Sequence, residues 1–269
     1  MMLTRIMCVG PGRINEALAT LSFDFQFAQC PVHHTYIITP YDSGVFLKLF
    51  DQFQITGEFT FLDDSYFSNY YDLSRWSHDN WYKQQALKLC ALDHLPEDCF
   101  LIQDCDLILM QPYSAMVNGN LNFKAEQMWN SYHTLYALMV EKIIGMNRVE
   151  QCSLVNELLP YTKKDWLSLR DLIERRHNTN FLDAIADIHP FDDTKWFSEY
   201  ELLGIYKTNQ QTGWQHFITT SQPAIQRWEE FYSTDWKRQH SVKFHTSPLK
   251  FMDEDSAKRV VDFLKKILE

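Results

Sequence analysis

Basic residues are scarce. Lysine and arginine number 25 against 35 aspartates and glutamates, a net charge of −10 at pH 7. That balance repels a phosphate backbone and excludes the basic footprint of a nucleic-acid-binding protein. Long apolar runs are absent too: no segment approaches the roughly 20 residues of a membrane-spanning helix. Residues 1–12 lack the apolar stretch of a secretion signal, so a cytoplasmic protein is expected. The six cysteines (Cys8, Cys30, Cys90, Cys99, Cys105 and Cys152) form no C-x-x-C pair, which excludes a zinc knuckle or dithiol motif and suits reduced thiols. Only 8 glycines are present, and no Gly/Ser linker, repeat or low-complexity tract divides the chain. Gly10-Pro11-Gly12, the one early glycine pair, lacks the rest of a phosphate-loop signature. Apolar residues are abundant at 45% of 269, enough for the core of one large domain, which excludes intrinsic disorder.

The first hundred residues alternate strand-like and helix-like patterns. Thr35-Tyr36-Ile37-Ile38-Thr39 is β-branched and aromatic and stops at Pro40, the pattern of a buried strand entering a loop. Residues 44–53 read as a helix, and Phe59-Thr60-Phe61-Leu62 as a second strand closed by Asp63-Asp64. Between Asn80 and Leu95, Tyr82, Ala86, Leu89 and Cys90 recur at helical spacing, and Pro96 ends the run. Cys99-Phe100-Leu101-Ile102 gives a third strand, so an α/β fold is expected. Helices are predicted over 125–144, 165–177 with Asp165 as cap, 223–232, and 256–269 with Asp255 as cap.

The most informative stretch is Phe100–Met110, where Asp104 and Asp106 interrupt an otherwise apolar run. An unpaired carboxylate in such surroundings costs several kcal/mol, and two like charges two residues apart raise that cost unless a cation neutralises them. On an extended chain the two would share one side. That suits a hard divalent ion, Mn²⁺ or Mg²⁺. A chance D-x-D in a strand-end turn is the competing reading.

Here the sequence resembles the GT-A glycosyltransferases, whose D-x-D follows a strand of a Rossmann-like sheet and holds the metal under a nucleotide sugar. Trp81–Leu89, Asp104-Cys105-Asp106, Ser153-Leu154-Val155-Asn156-Glu157 and Phe197–Tyr206 are similar to blocks of a family of bacterial-type GT-A-like proteins. Cys105 departs from the small residue usual at the centre of the motif, and residues 1–30 match no block. The resemblance implies a single domain over 1–269 with a mostly parallel central sheet flanked by helices. About 35–110 would form the nucleotide-binding half, and about 111–269 the acceptor half and C-terminal helix.

It also implies site residues. Asp104 and Asp106 would hold the metal, with His245 as third ligand and Lys250 reaching the diphosphate; a surface histidine before a proline turn is the bland alternative for His245. Because open α/β sheets bind ligands beyond the carboxyl ends of their strands, Thr39, Pro40 and Tyr41 are expected at the nucleotide. Asp63 or Asp64 would meet uracil, with Asp64 the candidate carried forward. Lys83 and Gln84 would meet phosphates or donor sugar, or else form a solvated helix face. Glu157 belongs to the matched block as a substrate contact. Glu199, set among apolar residues, would accept the acceptor's hydroxyl proton, or serve as a helix N-terminal charge; Glu201 fits a capping box with Ser198.

The function implied is metal-dependent transfer of a hexose from a UDP-sugar such as UDP-glucose to a carbohydrate or other hydroxyl acceptor, with no nucleic-acid partner and no membrane segment. The alternatives are a nucleotide-sugar hydrolase or nucleotidyltransferase, and a non-catalytic carbohydrate-binding protein.

Overall fold

Thr4–Cys8 forms the first strand, β1, and every residue of it is buried. The computed structural model describes residues 3–27, 32–109, 113–126, 131–149, 152–155, 157–189, 197–210, 213–219, 224–225, 241–244 and 254–268. The strands after β1 are β2 (His34–Thr39), β3 (Phe59–Asp63), β4 (Cys99–Gln103), β5 (Leu107–Leu109), β6 (Met116–Val117), β7 (Asn120–Glu126), β8 (Leu158–Thr162), β9 (Trp214–Thr219), β10 (Ala224–Ile225) and β11 (Ser241–Phe244). The helices are α1 (Ile14–Phe27), α2 (Ser43–Phe53), α3 (Asn80–His94), α4 (Ser131–Ile144), α5 (Lys163–His177), α6 (Phe181–Ile188), α7 (Glu199–Thr208) and α8 (Glu254–Leu268).

Five strands make the central sheet, in the order β3-β2-β1-β4-β8. β1 pairs with β2 and β2 with β3, both in parallel. The expected α/β class with a mostly parallel sheet is therefore what the chain adopts. No helix among the described residues is long and apolar enough to cross a membrane.

The chain divides into two units. The amino-terminal unit comprises residues 2–63, 103–114 and 222–269. Its core shows both periodicities of an α/β protein: Phe46 and Phe50 lie one helical turn apart on α2, while Phe59 and Phe61 share a face of β3. The rings meet at 5.2 Å for Phe46 and Phe61 and at 4.6 Å for Phe50 and Phe59. Asp42 caps α2, its side chain accepting from Gly44 N–H at 2.8 Å. A small sheet of order β10-β11-β5 completes the unit.

The middle unit comprises 64–102 and 115–221. Asp79 caps α3 by accepting from Trp81 N–H at 2.6 Å. At the other end of α3, Lys163 donates to the carbonyls of Leu92 at 2.8 Å and Leu95 at 2.9 Å, and to that of Asp93. One ammonium thus satisfies carbonyls that the helix terminus leaves over. Gly204 of α7 lies so close to Leu154 that a Cβ there would fall 2.8 Å from the Leu154 Cβ, so only glycine fits.

Four expectations are corrected. Residues 125–126 are strand: the buried apolar residues Leu121, Phe123 and Ala125 recur at every second position with polar residues between them, a sequence period of two that extends β7 to Glu126. The N-cap of α5 is Thr162, which accepts from Asp165 N–H at 3.1 Å while its hydroxyl donates to the Asp165 carboxylate at 2.6 Å; Asp165 supports the cap from inside the helix. Ala224–Ile225 pairs in parallel with β11, where the sheet partner overrides local helix propensity; 226–232 lie outside the described residues. Asp255 lies within α8, which begins at Glu254. The described cysteines Cys8, Cys90, Cys99, Cys105 and Cys152 are buried free thiols, as reduced cysteines would be.

Candidate active site

In the amino-terminal unit the carboxyl ends of neighbouring strands converge. After β1 the chain turns through Gly10-Pro11-Gly12, with Gly12 at φ +77°, into α1. Gly12 N–H donates to the Tyr41 hydroxyl at 2.6 Å, and Tyr41 N–H donates to Thr39 Oγ1 at 3.3 Å. Thr39 is buried, Tyr41 half-buried and Pro40 exposed. These three expected residues therefore stand at the ends of β1 and β2, where an open α/β sheet takes its ligands.

Asp104, Cys105 and Asp106 form a turn rather than an extended strand: Leu107 N–H donates to the Asp104 carbonyl at 3.4 Å. The shared strand face expected for the two aspartates is thereby corrected to a turn between β4 and β5. The turn is pinned twice, by Thr20 Oγ1 of α1 donating to the Cys105 carbonyl at 2.9 Å and by the Gln103 amide donating to the Leu107 carbonyl at 3.1 Å. Cys105 enters the apolar core of the unit. Burial, with Asp106 and Asp104 beside it, pushes its thiol well up, so it stays protonated and inert.

Asp106 is only 7% exposed, and its Oδ2 lies 3.7 Å from Nη1 of Arg13. The same Arg13 nitrogen donates to Glu16 Oε1 at 3.1 Å. Burial works against the Arg13 charge, but Asp106 and Glu16 together hold the guanidinium above its ordinary value. Glu16 is wholly buried and pushed up to about 7 by burial, with Asp106 adding and Arg13 opposing. Its folded form holds a proton more tightly than the unfolded chain, whose ordinary value is 4.5. The resulting stabilisation is complete below that value and is lost as pH rises through about 7. Accordingly, the melting temperature of the wild type relative to Glu16→Gln should fall across that window and level off above about pH 8. Parallel curves would remove Glu16 from this role.

In the middle unit Lys83 and Asp64 come together, Nζ to Oδ2 at 2.6 Å, with Gln84 half-buried on the same helix. Glu157 takes a left-handed backbone at φ 59°, a strained state for a side chain with Cβ. Glu199 lies wholly inside the packing. Its Oε1 accepts from Lys88 Nζ at 2.6 Å, its N–H donates to Gln85 Oε1 at 2.8 Å, and Lys88 also donates to the Tyr200 hydroxyl at 3.3 Å. A carboxylate so held is closed to solvent and already faces an ammonium. Glu201 accepts from Arg148 and, through Oε2, from Leu154 N–H at 3.3 Å, while its own N–H donates to Ser198 Oγ at 3.5 Å, so Ser198 caps the helix but the carboxylate expected to close a capping box is turned to Arg148 instead. Burial raises its pKa, and Arg148 opposes the rise. Residues 81–89, 153–157 and 197–206, distant in sequence, are thus joined by the buried Lys88–Glu199 ion pair and by the Leu154 N–H to Glu201 hydrogen bond.

His245 and Lys250 lie outside the described residues. Among the described residues no group of three or more His, Cys, Asp or Glu side chains is placed to hold a metal. Arg13 and Glu16 were not anticipated. Their signal is the Gly10-Pro11-Gly12 break ahead of α1, a chain reversal of the kind that separates a strand from a helix.

A model described as "Family of unknown function (DUF6492)" matches residues 18–258. No curated protein matches. Among solved structures, the apo form of the glycosyltransferase GlyE of Streptococcus pneumoniae TIGR4 is 9% identical, with 100% of this chain covered, 63% of that one, and a TM-score of 0.51. An active-site mutant of LgtC is 12% identical over 98% of this chain and 95% of that one, with a TM-score of 0.50. The galactosyltransferase LgtC in complex with donor and acceptor sugar analogs is 11% identical over 99% and 96%, with a TM-score of 0.48. The fold is that of the GT-A glycosyltransferases.

Proposed function

Since the chain belongs to the family of unknown function DUF6492 and folds as a GT-A glycosyltransferase does, we propose that it transfers a hexose from a UDP-sugar, such as UDP-glucose, to a hydroxyl acceptor. The observation that carries this reading is the convergence, in one unit, of the Asp104–Asp106 turn, Arg13 and the Gly12–Tyr41–Thr39 contacts. Thr39, Pro40 and Tyr41 would seat the nucleoside, with the Tyr41 ring against the base. Arg13 would turn its guanidinium from Asp106 toward the diphosphate, where its planar donors suit phosphate oxygens.

Asp104 and Asp106 offer hard oxygen donors on a pinned turn, and that donor set fits Mn²⁺ or Mg²⁺. His245 would be a third ligand and Lys250 a diphosphate contact in this reading. Bound there, the ion would stabilise negative charge on the departing nucleoside diphosphate. Asp106 would hold it by charge. Arg13 would share the load from the other side, which relieves the crowding of carboxylates in a chain already at −10.

The test is release of UDP from UDP-glucose and UDP-galactose, with and without an acceptor saccharide, in Mn²⁺ and in chelator. UDP release in Mn²⁺ that chelator abolishes is the expected result. Equal release in both, or none from either sugar, overturns the reading.

A further inference from the structure

The segment from Asp64 to Ser77 makes two short 3-10 turns, Tyr66–Asn69 and Ser74–Trp76, and with Lys83 walls a cleft of about 680 Å³. Tyr70 stands at this cleft with 54% of its surface exposed. Exposed aromatic rings usually pay side-chain entropy when they bind, but this one is already held. One neighbour is His94, at 3.9 Å between ring centroids, and the other is Tyr66 at 5.7 Å. Tyr66 in turn bonds His94 through its hydroxyl at 3.2 Å.

The wall beneath is equally fixed. The adjacent Tyr71 donates its hydroxyl to Asp93 at 2.5 Å, and the same carboxylate accepts from Trp166 Nε1 at 2.8 Å and Arg170 Nη1 at 2.9 Å. Phe67 and Trp76 are buried below. A rigid ring facing an open polar cleft is a preorganised platform, and preorganisation lowers the cost of binding.

The charges select the ligand. Asp64 and Asp72 bring two carboxylates, and Lys83 brings one ammonium that already lies 2.6 Å from Asp64. The balance is negative, which disfavours phosphate or carboxylate ligands. The remaining polar groups, Ser68 and Asn69 among them, are neutral hydroxyl and amide groups that both donate and accept. A neutral polyhydroxyl molecule matches that set, because each of its hydroxyls also does both. Its ring C–H face, slightly positive, matches the negative face of an aromatic ring. The volume falls within the range of about 300–1,000 Å³ usual for small-molecule sites.

We propose that this cleft is a saccharide-binding subsite with Tyr70 as its stacking platform. Lys83 and Asp64, expected from the sequence at the nucleotide, here offer a donor and an acceptor to sugar hydroxyls.

Saturation-transfer NMR on the full chain, with lactose, maltose and N,N′-diacetylchitobiose at millimolar concentration, tests it. At least one disaccharide should show saturation strongest at its axial C–H protons. Tyr70→Ala should reduce that signal at least fivefold, whereas Tyr70→Phe should keep it within twofold. Both variants should melt within about 2 °C of wild type, as exposed positions do. The proposal is overturned if no disaccharide is saturated, or if Tyr70→Ala gives the wild-type signal. A disaccharide signal that depends on Tyr70 in a chain that turns over no UDP-sugar would sustain the subsite while overturning the transferase reading.

Discussion

Asp106→Asn should lower turnover of a UDP-sugar at least about a hundredfold, the scale of losing a key electrostatic group at a reacting centre, while leaving the fold in place. Asparagine keeps the shape of the side chain and removes the charge proposed to hold the metal. The structure also sets what happens to the neighbours. Arg13 loses a carboxylate at 3.7 Å and keeps Glu16 at 3.1 Å. Glu16, relieved of the Asp106 charge that helps to raise its pKa, becomes a better partner for Arg13. The two effects oppose each other, so melting without metal should move by only a few degrees, roughly 1 kcal/mol. The paired measurement is melting without metal and UDP release with Mn²⁺ in excess. A variant that unfolds would make Asp106 a structural residue, and one with full turnover would sink the metal role.

The strands and helices between His34 and Gln103 were legible from local pattern and punctuation: Pro40 after β2, Asp63-Asp64 closing β3 and Pro96 after α3, while the caps Asp42 and Asp79 emerged only in the structure. β1 was not, although it lies between β2 and β4 in the central sheet. Its sequence, Thr-Arg-Ile-Met-Cys, is short, has a buried arginine as its second residue and shows no alternation, so neither period stands out. The D-x-D was legible for a physical reason that survives: carboxylates in an apolar run need a compensating charge, and Arg13 supplies part of it. The same argument applied to Glu199 and Glu201 found real buried charges but not their partners. Lys88 and Arg148 stand 111 and 53 residues away in sequence, and no local pattern reports a contact across such distances.

Those partners make the largest expected effect on stability. Lys88 is 1% exposed and Glu199 not at all, so Lys88→Met would strand a carboxylate in the core of the middle unit. Losing one member of a buried pair costs about 3–5 kcal/mol, whereas replacing both by apolar groups of similar volume is often neutral. Urea unfolding should therefore show Lys88→Met destabilised on that scale, and the double variant Lys88→Met/Glu199→Leu recovering most of the loss. The Gln85 contact is to the Glu199 backbone and survives either change. If Lys88→Met matched wild type, the pair would be electrostatically idle. The double variant also tests whether the pair serves transfer. A protein that refolds to near wild-type stability and keeps its UDP-sugar turnover makes Glu199 a packing group that positions α7. One that refolds equally well but transfers nothing makes the buried Lys88–Glu199 pair necessary for transfer.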